Sequence, residues 1–474
     1  MGSLIPLALT GLSGLFFALL VGVTYRFVLL GAGLVLSVFL LEAFLFSLPA
    51  YALGPLDLSP KDVVLVVLAI AGSARLILPR LVLRRGFTLL ELGWLLFGLL
   101  IFISFLRGVL PYGSEAGIDF RPYFYFFAAT LYFMSFPVDS YRLKRLSTLW
   151  FLAAGALVLL VAFRWIATAF GLPIGLPQWM GREQLGVLEE NIGGLRAINA
   201  AQALFLLQAF LLSLYLWLLP NSSRLWRLSG VVLLPVLVLL QHRTVWIVSI
   251  LSVLLVMLRE GKLRSKAFAA LLGGVVVSTS LLLGLFLFGE NLDAVTEPVS
   301  RAAAEPYTQR STFAWRLDSW RVLLTEGYLS TYTDYLFGKP FGAGYTRHLS
   351  LAGTGEWRTG AVHASPHNYY VQTLLRVGIV GLGVLIYVYA ALLLRLRRFR
   401  FSQTTAYFAP RAMYVLLFTQ LVFFITYPPS YEQGILLGLA ISIVRYSSLE
   451  SSLEKIREHK KRKRRVKVVW KSPA

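Results

Sequence analysis

The sequence contains no cysteine among its 474 residues, and it has few charged residues. Without thiols the chain cannot form disulfides, use thiolate catalysis or bind a metal through cysteine. Charged side chains make up 14% of the chain, against roughly 25% in ordinary soluble domains. Hydrophobic residues make up 57%, and the mean hydropathy is +0.70. A soluble protein cannot bury that much apolar surface, whereas a lipid bilayer solvates it, so the composition predicts an integral membrane protein.

Acidic residues are also few. Lysine and arginine number 45 against 23 aspartate and glutamate residues, which gives a formal net charge of +22. In a soluble protein this balance would suggest a nucleic-acid partner. In a membrane protein, basic cytoplasmic loops and anionic lipid headgroups explain the excess first. We therefore expect membrane lipid and no nucleic acid as a partner.

Long apolar runs dominate the sequence, and a span of the hydrocarbon core needs roughly 20 residues. Backbone groups in lipid must satisfy one another, so such runs predict helices and an all-α integral membrane protein. The first run is predicted to be a membrane helix and not a removed signal peptide, because no basic segment precedes it. Several runs are short, so about 12–13 transmembrane helices are predicted from the runs at 4–23, 27–48, 62–80, 87–106, 120–137, 146–171, 196–219, 228–241, 244–258, 267–288, 367–394, 408–427 and 430–446.

Arginine and lysine clusters alternate with these runs, and cytoplasmic loops carry such clusters. That rule places segments 107–119, 172–195, 242–243 and 289–366 on the outer side. The chain is therefore predicted to have four regions. They are N-terminal transmembrane helices (1–288), one large external loop (289–366, here called the insert), C-terminal transmembrane helices (367–446) and a basic cytoplasmic tail (447–474).

Four arginines lie near the outer ends of predicted helices or in the insert. Arg121 and Arg196 each open a predicted helix, Arg243 lies in a tight turn between two apolar runs, and Arg316 lies in the insert. The planar guanidinium suits phosphate oxygens, so converging arginines would bind a lipid-linked phosphate or diphosphate. The alternative is that each arginine snorkels to the interface or pairs with a carboxylate. The two interpretations are balanced for Arg121, whereas the apolar surroundings of Arg243 favour a functional role.

His367 lies where the insert re-enters the membrane. A neutral imidazole there could take a proton from an incoming hydroxyl group, or it could simply cap the start of a helix. His363 lies four residues earlier, at a spacing that metal ligands on a helix use. Pro366 between them and the lack of a suitably spaced carboxylate argue against a metal site.

The end of the insert contains glycines at Gly338, Gly342 and Gly344. A glycine-rich nucleotide loop would need a preceding strand in a βαβ unit or the Lys-Ser/Thr of a P-loop, and both are missing. The glycines are therefore predicted to serve tight turns.

Taken together, these residues resemble the O-antigen ligase and O-antigen polymerase superfamily of bacterial surface-polysaccharide enzymes. The resemblance covers about 196–394 best, and the turn around Arg243 departs from the family's frequent Ser-Arg-Gly by reading His242-Arg243-Thr244. The positions that carry the resemblance are Arg243 at an outer turn, Arg316 before Trp320, the Leu336-Phe-Gly to Gly344 run, and His367-Asn368 followed by Gly378 and Gly381.

The resemblance implies a GT-C-like bundle in the bacterial inner membrane, with the insert and the active face in the periplasm. It implies an inverting glycosyl transfer without metal or other cofactor, from a glycan on undecaprenyl diphosphate. Arg196, Arg243 and Arg316 would hold the diphosphate, with Arg121 as a weaker candidate. His367 would act as general base on the acceptor hydroxyl.

The acceptor is left open by the resemblance. A ligase would use lipid A-core, a polymerase would use a second lipid-linked glycan, and related enzymes glycosylate proteins. One dominant insert late in the chain favours the ligase slightly. A transporter of lipid-linked sugars would show internal repeats and broken helices with charges at mid-membrane. Neither is evident in the sequence, in which Arg75 and Arg164 are the awkward internal charges. A non-catalytic scaffold would not need cations gathered at one face.

Overall fold

The computed structural model describes residues 4–45, 48, 51–53, 56–83, 86–169, 197–217, 224–240, 242–259, 312–325, 328–350, 357–362, 366–398 and 408–446. The fold is that of an all-α integral membrane protein, apart from two short antiparallel hairpins. The hairpins are β1 (Tyr51–Leu53) with β2 (Leu56–Leu58) and β3 (Tyr345–Ser350) with β4 (Trp357–Val362). The helices are α1 (Leu4–Arg26), α2 (Val28–Leu45), α3 (Pro60–Leu83), α4 (Leu89–Tyr112), α5 (Ser114–Met134), α6 (Ser140–Ala169), α7 (Ala200–Leu216), α8 (Arg224–Leu239), α9 (Arg243–Arg259), α10 (Thr312–Thr325), α11 (Tyr332–Phe337), α12 (Tyr369–Arg397), α13 (Phe408–Phe423) and α14 (residues 431–446).

Five of the described helices, α2, α3, α4, α6 and α12, are long and apolar enough to cross a membrane. Helix α4 shows how they divide their surface. One face buries Trp94 and Phe97 in the bundle, whereas a stripe at spacings of three and four residues is exposed. Such a stripe of large apolar side chains is suited to contact with lipid. The exposed stripe consists of Leu92, Leu96, Leu99, Ile103 and Leu106.

Most predicted spans correspond to described helices, with shifted ends. The predicted external segment 107–119 is largely helical, because α4 and α5 continue into it and turn sharply at Gly113, whose φ is +52°. Arg121 therefore lies inside α5 and does not open a helix, which corrects the prediction. The predicted span 267–288 and the tail 447–474 lie outside the described residues, so the total of 12–13 spans stays a prediction.

Contacts of charged side chains join helix ends that the alternation of basic clusters predicts to lie on the same side of the membrane. The buried Glu91 at the start of α4 pairs with Arg80 Nη2 at 2.5 Å and with Arg445 Nη1 at 3.0 Å. These arginines lie near the C-terminal ends of α3 and α14. Arg259, which ends α9, donates to the carbonyl oxygen of Leu396 near the end of α12 at 3.2 Å. The end of the bundle that carries these contacts is here called the basic end.

The opposite end of the bundle, here called the insert end, contacts the described parts of the insert. Helix α12 is broken there, at Gly378, whose φ of +71° and ψ of −174° are not helical. A Cβ at Gly378 would lie 2.1 Å from the carbonyl oxygen of Leu336, so α11 packs directly against the break. The continuous span predicted at 367–394 is therefore wrong in detail. A short half-helix, Tyr369 to Val377, precedes the break.

Replacing Gly378 by alanine should destabilise the protein by about 1–3 kcal/mol from the backbone alone, since this φ and ψ region is almost restricted to glycine. The clash with Leu336 adds to that cost. Thermal unfolding in detergent measures the effect. Gly383→Ala is the matched control, because Gly383 lies in the same helix with nothing within 4 Å of an added Cβ. Equal melting temperatures for the two variants would contradict the assigned break.

Candidate functional site

The chain re-enters the bundle through Pro366, His367 and Asn368. Asn368 is the N-cap of α12, and its side-chain oxygen accepts a hydrogen bond from the backbone N–H of Val371 at 3.0 Å. His367 precedes the cap and has a φ of +55°. That conformation is uncommon for a side chain with a Cβ and is maintained only where the surroundings enforce it. The alternative that His367 caps the helix is therefore wrong, because Asn368 has that role.

Contacts on both sides fix the backbone of His367. On the insert side, Trp320 of α10 donates its indole N–H to the carbonyl oxygen of Pro366 at 2.7 Å. On the membrane side, the backbone N–H of Tyr369 donates to the carbonyl oxygen of Phe424 at 2.9 Å. The His367 backbone is thus held between a helix of the insert and the end of α13.

Arg316 and His367 converge on one side chain, Tyr427, which lies in the turn between α13 and α14. The guanidinium carbon of Arg316 lies 5.3 Å from the centre of the Tyr427 ring. The imidazole of His367 lies 6.3 Å from the same ring, at an interplanar angle of 83°. Arg316 Nε is buried and has no acceptor among the residues that the structure describes. Two predicted site residues, 51 positions apart in the chain, therefore meet at the insert end.

Arg243 is the first residue of α9 and is half-buried at the same end of the bundle. Its neighbour His242 is buried, and the Nε2 atom lies 2.7 Å from the carbonyl oxygen of Ile198. Arg164 donates to the carbonyl oxygen of the adjacent Ala197 at 2.5 Å. The turn that carries Arg243 thus lies against the start of α7. Arg196 itself lies outside the described residues, two positions before Ile198.

Arg121 has a carboxylate beside it. Its Nε lies 3.6 Å from Oδ1 of Asp62 on α3, and the same oxygen accepts a hydrogen bond from the hydroxyl of Tyr125. This pairing favours the structural interpretation of Arg121, because the charge is already balanced by the protein. Arg121 therefore stays the weakest of the predicted phosphate ligands.

Sequence reasoning missed the buried arginine that attaches the insert to the bundle, which is Arg376 of the half-helix. Its side chain is fully buried, and Nε lies 2.6 Å from a carboxylate oxygen of Asp119 on α5. The guanidinium also lies 4.0 Å from the ring centre of Tyr345. Burial raises the pKa of Tyr328 to about 12, so its hydroxyl stays protonated beside the cation. Arg376 donates hydrogen bonds to the Tyr328 hydroxyl at 3.0 Å and to the carbonyl oxygens of Pro340 at 3.2 Å and Ala343 at 2.5 Å.

The glycines of the insert form turns around this arginine, as predicted. Gly338 ends α11 with a φ of +72°, and Arg107 donates to its carbonyl oxygen at 3.1 Å. Gly342 has a φ of +86°, and its N–H donates to Asp119 at 3.2 Å. A Cβ at Gly342 would meet the backbone of Ala116 at 2.7 Å. Gly342 therefore allows a close approach of the insert to α5, and Gly338 allows one to the half-helix, where an added Cβ would lie 2.4 Å from the carbonyl carbon of Arg376.

Comparison with known families adds an independent finding. A family described as O-antigen ligase matches residues 228–386, and no curated protein matches the chain. The matched segment runs from α8 into α12 and contains Arg243, Arg316 and His367, whereas Arg121, Arg196 and Tyr427 lie outside it. The resemblance to the O-antigen ligase and polymerase superfamily is thereby confirmed.

The Arg376–Asp119 pair should show strong coupling in a double-mutant cycle. Arg376→Met or Asp119→Leu alone leaves a buried charge uncompensated and should cost about 3–5 kcal/mol, whereas the double variant should cost much less than the two single losses together. Thermal or denaturant unfolding in detergent gives the values.

The exposed pair of Arg142 and Asp139, at 2.8 Å, provides the matched control. Arg142→Met should have no measurable effect on unfolding, whereas Asp139 is left unchanged because its side chain also accepts the backbone N–H of Arg142 at the start of α6. An Arg376→Met variant as stable as Arg142→Met would show that the buried pair does not hold the insert.

Proposed function

We propose that this protein is a glycosyltransferase of the O-antigen ligase type. It would transfer a glycan from undecaprenyl diphosphate to an acceptor hydroxyl at the periplasmic face of the bacterial inner membrane. The observation that carries the proposal is that His367 and Arg316 both contact the ring of Tyr427. His367 and Arg316 also lie inside the segment that matches the O-antigen ligase family. This transfer needs a base that takes the acceptor proton and a cation that stabilises the leaving diphosphate.

The proposed step is a single displacement. The acceptor oxygen attacks the anomeric carbon while His367 takes its proton. The bond between the anomeric carbon and the diphosphate oxygen breaks, and the diphosphate leaves with the electron pair. The configuration at the anomeric carbon is inverted, because the acceptor enters opposite the leaving group. No metal is needed if arginines stabilise the charge that develops on the diphosphate.

The arginines suit that role for chemical reasons. A guanidinium stays charged at all physiological pH values and donates from a planar fork that matches phosphate oxygens. Arg316 has a buried Nε without an acceptor among the described residues. Arg243 begins α9, so the positive end of that helix and its first backbone N–H groups lie beside the side chain. Arg196 is proposed as the third diphosphate ligand because of the family resemblance and because it precedes the start of α7.

A transporter of lipid-linked sugars is the competing class, and the break in α12 supports it. Broken helices with charged residues are common at transporter binding sites. Arg376 lies two residues before the break, but Asp119 and four residues of the insert already surround its guanidinium. The charge beside the break is therefore engaged by the protein and is not offered to a substrate. This favours the enzyme over the transporter.

Ligase and polymerase differ in the acceptor. A ligase would use lipid A-core, and a polymerase would use a second undecaprenyl-linked glycan. We favour the ligase because the sequence has one dominant external loop, late in the chain, that ends in His367-Asn368. An assay with each acceptor separates the ligase from the polymerase.

The test uses protein purified into nanodiscs, undecaprenyl-diphosphate-linked glycan, and either lipid A-core or a second lipid-linked glycan. No metal is added, and a parallel reaction contains a chelator. Glycan attached to lipid A-core identifies the ligase, and a ladder of longer lipid-linked glycans identifies the polymerase. Loss of turnover in the chelator would contradict the metal-independent mechanism. Movement of intact donor across the membrane without a new glycosidic bond would favour transport.

Replacing His367 by alanine should lower the turnover number by roughly 10²- to 10⁴-fold, because a positioned base contributes about that much. The single-turnover rate with saturating donor and acceptor measures the effect. Arg142→Ala, a change at an exposed ion pair of the membrane bundle, should keep the wild-type rate. A His367→Ala variant with wild-type turnover would exclude this residue as the base.

Replacing Arg316 by alanine should lower the turnover number by roughly 10²- to 10³-fold, as the loss of one donor to a developing charge does. Arg316→Lys should restore little, since a point charge does not reproduce the planar fork. Rates of product formation on both variants provide the comparison. Full activity in Arg316→Lys would show that only the charge matters.

A further inference from the structure

We propose that Tyr427 positions the imidazole of His367 and the guanidinium of Arg316 relative to each other. The inference rests on the proposed function, because it assigns a role within the same reaction. Neither the family match nor the sequence patterns include Tyr427, since the match ends at residue 386. The residue contacts both groups and is contributed by a third part of the chain, the turn between α13 and α14.

The turn that carries Tyr427 is rigid. The backbone N–H groups of Thr426 and Tyr427 donate to the carbonyl oxygen of Phe423 at 3.0 and 3.1 Å. The Tyr427 ring stacks on the ring of Phe423, with centroids 5.1 Å apart and an interplanar angle of 23°. Pro428 and Pro429 follow, which fixes the backbone of the turn further. The tyrosine ring is therefore a fixed surface at the insert end.

The same turn also fixes the backbone that precedes the half-helix. The carbonyl oxygen of Phe424 accepts the N–H of Tyr369, two residues after His367. The Phe424 and Tyr369 rings are in contact, with centroids 5.3 Å apart. The backbone beside His367 and the ring that contacts its imidazole are thus fixed by one short segment. A shift of this turn would move the proposed base.

Arg316 has a different origin, because α10 belongs to the insert. Helix α10 packs against β3 and is joined to the entry of the half-helix through Trp320 and Pro366. Tyr427 gives Arg316 a direct contact with the membrane bundle.

The two contacts of the Tyr427 ring would position Arg316 and His367 without occupying the groups that their proposed roles need. A cation over a ring is attracted by its π-electrons and needs no hydrogen-bond acceptor there, so the guanidinium keeps N–H groups for phosphate oxygens. The Arg316 Nε, buried and without an acceptor among the described residues, is such a group. The imidazole meets the ring at 83°, an edge-to-face arrangement that fixes the ring plane. The tyrosine hydroxyl is not required for either contact.

Two substitutions at this position test the inference in the nanodisc assay. Tyr427→Phe keeps the ring and should retain at least about half of the wild-type turnover number. Tyr427→Leu removes the ring and should lower the turnover number by roughly 10- to 100-fold, as a small misplacement of reacting groups does. Tyr427→Met serves the same purpose if the leucine variant does not fold, because methionine fills irregular space.

Two measurements separate positioning from a merely structural role. In the His367→Ala background, Tyr427→Leu should lower the turnover number by a much smaller factor than in the wild-type background. A residue that acts through another gives such non-additive effects. Tyr446→Leu is the matched control, since Tyr446 also contacts an arginine, Arg445, at 5.0 Å but lies at the basic end. It should keep the wild-type turnover number. Melting temperatures of all variants identify any that lose stability.

Each outcome decides between the proposals. A fast Tyr427→Leu variant together with an inactive His367→Ala variant would overturn the inference and leave the function standing. A Tyr427→Phe variant as slow as Tyr427→Leu would also overturn it, because the hydroxyl would then be essential. Equal losses from Tyr427→Leu in the two backgrounds would assign Tyr427 a role independent of His367. Full activity in both His367→Ala and Arg316→Ala would refute the proposed function itself, and the inference with it.

Discussion

The buried ion pair between Arg376 and Asp119 is the interaction on which the insert end depends. Moving both charges out of water is costly, and their attraction repays the cost only where further hydrogen bonds satisfy the remaining donors. Here the insert supplies them, through the Tyr328 hydroxyl and two backbone carbonyl oxygens. The pair therefore does more than join α12 to α5. It makes folding of the insert against the bundle a condition for burying the arginine, and α10 with Arg316 belongs to that insert.

The break at Gly378 lies two residues after the arginine of this pair. Helix α11 packs directly against it, since a Cβ at Gly378 would overlap the carbonyl oxygen of Leu336. The half-helix that precedes the break meets α13 at Phe424 with its N-terminal end. His367 precedes that end in a left-handed conformation. The candidate base is thus placed by packing on both sides, which is how a strained backbone conformation persists at a functional site.

The membrane helices could be predicted from composition and apolar length, because lipid leaves the backbone few alternatives. The basic clusters also predict which helix ends share a side of the membrane, and the contacts of Glu91 and Arg259 join helix ends in agreement with that grouping. Contacts between distant positions could not be predicted from one sequence. Asp62 beside Arg121 and Asp119 beside Arg376 have no sequence signal, since their spacings follow no helix or strand period. Tyr427 was missed for the same reason: its role depends on two residues more than 50 positions away.

Two arginines at the insert end, Arg376 and Arg316, differ in the groups that surround their charge. Arg376 is fully buried, and a carboxylate, a hydroxyl and two carbonyl oxygens surround its guanidinium, so its charge is balanced by the protein. The guanidinium carbon of Arg316 lies over the Tyr427 ring, and its buried Nε has no acceptor among the described residues. A buried donor left unpaired costs free energy. A diphosphate beside the proposed base would supply the acceptor that the Arg316 Nε lacks.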